Sequence, residues 1–112
     1  MQITTIQHGE ALVITVVEKR LDARCARPLR ELTTGFIQSG QSKLVLNLDT
    51  VEFIDSSGLG ALVSILKTIG SRGELVLCGL RASLLGLFKL TRMDSVFTIA
   101  PGETEALTKL AA

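Results

Sequence analysis

The side chains best suited to chemistry form a short polar run, Asp55-Ser56-Ser57-Gly58, between apolar neighbours. A serine hydroxyl becomes a catalytic nucleophile when a histidine activates it. The nucleophile elbow of serine hydrolases requires Gly-x-Ser-x-Gly. Ile54 occupies the first glycine position around Ser56, and neither glycine position around Ser57 holds a glycine. The run therefore does not fit a serine hydrolase.

Other catalytic and metal-binding patterns are also missing from the sequence. The one imidazole, His8, lies in a predicted turn, so a catalytic triad would depend on that residue alone. A zinc site needs clustered ligands, whereas Cys25 and Cys78 are far apart in the sequence. We therefore expect no metal, no cofactor and no enzymatic activity.

The glycine-rich segment does not complete a phosphate-binding loop. Gly58-Leu59-Gly60 begins like the dinucleotide fingerprint, but Val63 stands where its third glycine belongs. No Gly-Lys-Ser or Gly-Lys-Thr is present, so the Walker motif is absent. Nucleotide or small-molecule binding remains an alternative that a ligand screen would test.

Composition excludes several further classes of protein. The 112 residues predict one domain over residues 1–112, and 46% apolar and 21% charged residues indicate a folded core. A net charge of +1 and the lack of Trp and Tyr argue against nucleic-acid binding. The sequence starts without a signal-peptide pattern and has no apolar run of about 18 residues. We expect a cytoplasmic protein with reduced cysteines and no membrane span.

The polar run must be positioned by elements that alternate along the chain as β-β-α-β-α-β-α-β-α. This order predicts an α/β fold: a mixed, mostly parallel sheet of 4–5 strands, an N-terminal hairpin around Gly9 and about four helices. The first helix is predicted from Pro28 to about Ser39, because proline suits a first turn. Ser56 or Ser57 is predicted to cap a helix over 57–70. A strand over 96–99 and a helix over 80–90 are also expected.

The polar run therefore follows a buried strand, at an end of the sheet where α/β folds present functional groups. The helix after it has apolar residues over an arc of roughly 200°, more than one core face requires. Either this helix is wedged between neighbouring helices, or part of the arc near Gly60 is exposed to a partner. The leucine-rich helix predicted over 80–90 is likewise either buried in the core or partly exposed to a partner.

These features resemble the bacterial anti-sigma factor antagonists, the small proteins built on the STAS domain. The most specific part is Phe53-Ile54-Asp55-Ser56-Ser57-Gly58-Leu59-Gly60, preceded by the strand Leu44-Val45-Leu46-Asn47-Leu48. Arg20-Leu21-Asp22-Ala23, Leu77-Cys78-Gly79 and Val96-Phe97-Thr98-Ile99 support it. The resemblance covers almost the whole chain.

The resemblance implies control by partner switching. In that family, the unphosphorylated antagonist binds an anti-sigma factor that is also a serine kinase with a GHKL-type ATP site. This binding frees the sigma factor. The kinase phosphorylates the first serine of the pair, and a PP2C-type phosphatase reverses the modification. By motif position, the phosphoacceptor here is Ser56.

The resemblance also implies the residues that meet the partner, and it leaves an alternative role open. The implied partner-binding residues are Asp22, Asp55, Ser57, Gly58, Leu59 and Gly60. The chain is expected to be a monomer or weak dimer. The alternative is a STAS interaction subunit of a transport or signalling complex without sigma control.

One departure from the family pattern concerns the end of the second strand. Lys19 stands where the family often has glycine, in Lys19-Arg20-Leu21-Asp22. Lys19 and Arg20 either select an acidic partner surface or are solvated loop charges.

Overall fold

The computed structural model describes residues 1–111. The strands are β1 (Ile3–His8), β2 (Ala11–Val16), β3 (Arg20–Leu21), β4 (Lys43–Asn47), β5 (Phe53–Ile54), β6 (Glu74–Cys78) and β7 (Thr98–Ala100). The α-helices are α1 (Ala23–Gln38), α2 (Ser56–Ile69), α3 (Ala82–Leu90) and α4 (Glu103–Ala111). Single 3-10 turns cover Gly70–Arg72 and Met93–Ser95.

Five of the strands form one sheet in the order β1-β2-β4-β6-β7. β1 and β2 are antiparallel and are joined through Gly9, whose φ of 58° suits the tight turn. The other three pairings, β2 with β4, β4 with β6 and β6 with β7, are parallel. The structure confirms the predicted α/β class, the mixed, mostly parallel sheet and the N-terminal hairpin.

The central strands are buried on both faces because helices cover both sides of the sheet. In β4, Leu44 and Leu46 point into the larger core cluster, together with buried residues of α1, α2 and α3. Val45 points to the opposite face, where Ala106 and Leu110 of α4 pack on it. Burial of one such leucine contributes about 1.5–3 kcal/mol to the stability of the fold. The central strands therefore stabilise the sheet through their buried side chains.

β3 and β5 form a separate parallel pair that extends beyond the main sheet. The Lys19 carbonyl accepts hydrogen bonds from the backbone N–H groups of Glu52, at 2.7 Å, and Phe53, at 3.2 Å. The backbone N–H of Asp55 donates to the carbonyl of Leu21 at 3.3 Å. This pairing holds residues 20–22 beside residues 53–55.

Some predicted boundaries were wrong. α1 begins at Ala23 rather than Pro28, because Asp22 caps it and its carbonyl accepts bonds from the N–H groups of Cys25 and Ala26. Pro28 lies inside the helix. The last strand covers 98–100 instead of 96–99, and the third helix begins at residue 82 instead of 80. In residues 1–111, no helix has both the length and the apolar character required to cross a bilayer.

Candidate functional site

Two aspartates stand side by side at the start of two helices. The Oδ1 atom of Asp22 accepts a hydrogen bond from the backbone N–H of Arg24 at 3.1 Å and caps α1. The Oδ1 atom of Asp55 accepts from the backbone N–H of Gly58 at 2.9 Å and caps α2. Because β3 and β5 pair directly before these caps, the two helix starts meet at one corner of the molecule. We call this corner, residues 20–24 and 53–60, the tip.

The two serines of the tip do not cap the helix, contrary to the sequence prediction. Asp55 has the extended backbone of a cap residue, and its carboxylate takes the N–H that a capping serine would have bound. Ser56 and Ser57 are the first two residues of α2, and both are exposed. Within residues 1–111, no side-chain hydrogen bond uses either hydroxyl. Neither hydroxyl therefore has a structural role at the tip.

The two glycines of the tip differ sharply in their surroundings. Gly58 is buried, and a Cβ built on it would overlap the carbonyl oxygen of Leu21 and lie 2.8 Å from its carbonyl carbon. Gly60 is exposed, and a Cβ built there would have no neighbouring atom within 4 Å. Gly58 is therefore needed for the close approach of β3 to α2, whereas no contact in the described chain requires Gly60.

The broad apolar arc of α2 is mostly internal. Ala61, Leu62, Ile65 and Ile69 are buried, and α1 packs along the helix. Leu59, Val63 and Leu66 are partly buried against the same core. Most of the arc is therefore buried against α1 and the core over the sheet and is not exposed to a partner. Leu59, the member of the arc that lies within the tip, retains accessible surface, and so does the adjacent Gly60.

An exposed aromatic side chain precedes the serines in the tip, and the sequence analysis did not select it as a site residue. Phe53 is 41% exposed, and the guanidinium carbon of Arg20 lies 4.4 Å from the centre of its ring. The exposure of Phe53 could have been predicted from the sequence. Side chains alternate between the two faces of a strand, so if Ile54 of β5 points into the core, Phe53 must point outward. Exposed aromatics beside polar groups commonly mark protein interfaces.

Basic side chains surround the Asp22 carboxylate. Its Oδ2 atom lies 3.8 Å from Nε of Arg20 and 3.7 Å from a terminal nitrogen of Arg24. Lys19, the departure from the family pattern, is exposed. Its φ is negative, because Arg92 is the one non-glycine residue in 1–111 with a positive φ. A glycine is therefore not required there, and lysine is compatible with the fold.

Of the other reactive groups, Cys25 lies beside the tip, where its thiol donates to the carbonyl of Arg20 at 3.4 Å, whereas Cys78 lies in β6 and His8 in β1. Cys25 and Cys78 are both free and buried, and burial raises the pKa of Cys78 to about 11, with further contributions from Glu103, Asp49 and Glu105. His8 is exposed in β1. In the part of the chain that the structure describes, no three His, Cys, Asp or Glu side chains are grouped as metal ligands would be.

Comparisons with known proteins agree with this architecture. A curated relative, the anti-sigma F factor antagonist of Paenibacillus polymyxa, is 28% identical over 107 residues, which are 94% of this chain and 92% of that protein. A solved anti-sigma-factor antagonist (STAS) domain protein from Planctomyces limnophilus superposes with a TM-score of 0.87 at 24% identity, covering 98% of both chains. The phosphorylated form of the Bacillus cell fate determinant SpoIIAA superposes with a TM-score of 0.71 at 20% identity, covering 96% of this chain and 98% of that one.

The family model for the STAS domain matches residues 2–106, a span that includes the whole tip and both faces of the sheet. The chain therefore belongs to the STAS domain family, and it is similar to curated anti-sigma factor antagonists.

Proposed function

We propose that this chain is an anti-sigma factor antagonist of the bacterial cytoplasm, controlled by phosphorylation of Ser56. Its unphosphorylated tip binds an anti-sigma factor that is also a GHKL-type serine kinase, which frees the sigma factor. A PP2C-type phosphatase restores the binding form. The observation that carries the proposal is that Asp55 caps α2, which leaves the exposed Ser56 hydroxyl without a structural role.

A phosphoryl group on Ser56 is compatible with the fold. The first turn of an α-helix leaves backbone N–H groups without partners inside the helix, and its dipole favours an anion there by about 0.3–1 kcal/mol. Asp55 uses the N–H of Gly58, and Ser56 stands one residue further on, in solvent. The phosphorylated SpoIIAA structure, a neighbour with the same fold, is consistent with such tolerance.

The same phosphoryl group would weaken a partner's contact with the tip. It adds a charge of about −1.5 to −2 at pH 7 next to the carboxylate of Asp55, while the Asp22 carboxylate at the same corner already lies near Arg20 and Arg24. A partner that packs over Ser56 must then remove water from this charge, and negative groups on the partner are repelled by it. Together these effects cost several kcal/mol. Since about 1.4 kcal/mol changes a dissociation constant tenfold, such a cost releases the partner.

The proposed partner surface combines four kinds of group. Asp22 and Asp55 supply charge, Ser56 and Ser57 supply hydroxyls, and Leu59 supplies partly accessible apolar surface. The exposed Gly60 carries no side chain and so lets the partner approach the backbone of the first turn, and Gly58 holds that turn against β3. The exposed Phe53 with the Arg20 guanidinium above its ring extends this surface to the β3–β5 pair.

The phosphoacceptor is tested by reconstitution with the GHKL kinase and the PP2C phosphatase encoded in the same genome. Intact-mass spectrometry should detect one phosphoryl group on the wild type and on Ser57→Ala, and none on Ser56→Ala. Ser57→Ala is the matched control because its hydroxyl is equally exposed and also makes no structural hydrogen bond in residues 1–111. Stoichiometric phosphorylation of Ser56→Ala by that kinase would contradict the assignment.

Binding is tested with the same variants by calorimetry against the purified anti-sigma factor. Ser56→Ala should bind as the wild type does, and Ser56→Glu should bind at least about a hundredfold more weakly, the loss that about 3 kcal/mol produces. Equal binding of Ser56→Glu and the wild type would favour the alternative role as an interaction subunit of a transport or signalling complex.

A further inference from the structure

β1 is an edge strand without the features that usually protect an edge. It occupies one end of the five-stranded sheet and pairs with β2 in an unbroken register from Ile3 opposite Val16 to His8 opposite Ala11. Its sequence, ITTIQH, contains no proline and no Lys, Arg, Asp or Glu. Natural sheets normally blunt an exposed edge with such residues or with a bulge. Ile6 is moreover 56% exposed.

The hydrogen bonds of the hairpin show which backbone groups of β1 point outward. The N–H of Val17 donates to the carbonyl of Gln2 at 2.9 Å, so Gln2 faces β2. Because the direction alternates along a strand, Thr4, Ile6 and His8 also face β2. The N–H and C=O groups of Ile3, Thr5 and Gln7 therefore point away from the sheet, and no strand in residues 1–111 pairs with them.

We propose that two copies of this chain associate through β1, antiparallel, with Thr5 opposite Thr5 of the second copy. In this register Ile3 lies opposite Gln7 of the other copy, so each outward N–H and C=O group of both strands finds a partner. The two sheets would then form one continuous sheet. Within the bounds of β1, residues 3–8, any other antiparallel register leaves at least one of these groups unpaired.

The side chains of β1 fit the same register. Ile6 pairs with Val13, which belongs to the face that α4 covers, so Ile6 lies on that face of the sheet. In the proposed dimer it stands opposite Thr4 of the second copy, at a close, non-hydrogen-bonded position. Two β-branched side chains suit such a cross-strand pair. No charged side chain of β1 opposes another, so a second copy is electrostatically acceptable.

The dimer would leave both tips free. The two-fold axis through Thr5 reverses the direction of the second sheet, so the carboxyl ends of the parallel strands point in opposite directions in the two copies. Each tip is built on β3 and β5, which follow the carboxyl ends of the parallel strands β2 and β4 along the chain. The dimer is therefore independent of the proposed function, and Ser56→Glu should not alter it.

Sedimentation equilibrium tests the association. We expect a weak dimer, with a dissociation constant between about 10 μM and 1 mM, because one strand pair buries less than a standard interface. Ile6→Lys should weaken it at least about tenfold by charging the edge. Thr5→Pro should do the same, because it removes an N–H that only the second copy would use.

Leu90→Lys is the matched control, because Leu90 is an apolar side chain that is 83% exposed and lies on α3, away from β1. It should leave the dissociation constant unchanged, and thermal melts should show that all three variants remain folded. A wild type that stays monomeric up to about 1 mM would overturn the proposal. So would an unchanged dimer in both Ile6→Lys and Thr5→Pro.

Disulfide cross-linking tests the register. Thr4→Cys mixed with Ile6→Cys should form a reducible dimer on oxidation, because these positions face each other across the pair at a Cα separation of about 4.5 Å. Each single variant alone should not cross-link, and native Cys25 and Cys78 are buried. Efficient cross-linking of Ile6→Cys alone would show a different register and overturn the proposed one.

Discussion

The carbonyl group of Leu21 lies against the α-carbon of Gly58, so closely that a side chain of any size at Gly58 would overlap it. This contact joins the end of β3 to the first turn of α2, and with the β3–β5 pairing it builds the tip. It also explains one glycine of the Asp-Ser-Ser-Gly-Leu-Gly motif by packing alone. The second glycine, Gly60, has no such explanation in residues 1–111.

The two glycines should therefore respond differently to alanine. Gly58→Ala should lower the free energy of unfolding by about 3 kcal/mol or more, since backbone atoms on both sides must move. Gly60→Ala should raise it by about 0.5–1 kcal/mol, because alanine favours a helix interior and meets no neighbour. Urea unfolding followed by circular dichroism measures both changes.

Binding separates the role of Gly60 from its effect on stability. Under the proposed function, Gly60→Ala should be stable yet bind the anti-sigma factor more weakly than the wild type. If Gly60→Ala binds normally, Gly60 does not belong to the partner surface. If Gly58→Ala is as stable as the wild type, the carbonyl of Leu21 does not lie close enough to Gly58 to exclude a side chain.

The cap of α2 gives the second prediction. Asp55→Ala should lower the free energy of unfolding by about 1 kcal/mol because the N–H of Gly58 loses its acceptor. Asp55→Asn should retain most of that stability, since asparagine caps nearly as well. Ser57→Ala should change stability by less than about 0.5 kcal/mol. A larger loss in Ser57→Ala than in Asp55→Ala would show that the serine caps the helix.

The sequence was sufficient for the architecture because its strongest patterns come from burial. The apolar runs of β2, β4 and β6 and the helices between them predict a parallel sheet, and all three strands are found in it. The site motif was also recognised from the sequence. Both results rest on local composition and order, which a single sequence displays directly.

The details of the tip could not be predicted, because they depend on contacts between distant segments. Asp22 and Asp55 meet at one corner only because β3 and β5 pair, and two-residue strands carry no periodic signal. Pro28 misled the prediction of α1, since a proline in the early part of a helix looks like a helix start. The meeting of the two caps is therefore a tertiary effect, whereas the start of α1 is set locally by the Asp22 cap.

A buried amide fastens α4 to the sheet and gives the third prediction. The side chain of Asn47, 7% exposed, donates to a carboxylate oxygen of Glu103 and accepts from the backbone N–H of Asp49 at 3.0 Å. Asn47→Ala should therefore lower the free energy of unfolding by about 1–3 kcal/mol. Asn47→Asp should lower it further at pH 7, because a second carboxylate then faces Glu103.

The extra loss in Asn47→Asp should depend on pH. Repulsion between the two carboxylates raises the affinity of the pair for a proton, so protonation near pH 4–5 relieves it. Urea unfolding at pH 7 and at about pH 4.5 should show the gap between Asn47→Asp and Asn47→Ala narrowing at the lower pH. A gap that stays constant would mean that residue 47 does not face Glu103.

The thiol of Cys78 gives the last prediction, a loss of stability in alkali. Burial, with Glu103, Asp49 and Glu105 adding to it, raises the pKa of Cys78 from 9.0 to about 11. Between these values the unfolded chain releases the thiol proton while the folded chain keeps it. The stabilisation is therefore present below about pH 9 and is lost as the pH rises towards 11, with a slope of up to about 1.4 kcal/mol per pH unit.

Cys78→Ala isolates this contribution, because lysines and other groups titrate alike in both proteins. The difference in the free energy of unfolding between the wild type and Cys78→Ala should be constant from pH 7 to about pH 9 and then change in favour of the variant. The same burial should keep Cys78 unreactive towards thiol reagents in the native protein at pH 8. A difference that stays constant up to pH 11 would show that the folded chain does not hold this proton more tightly than the unfolded one.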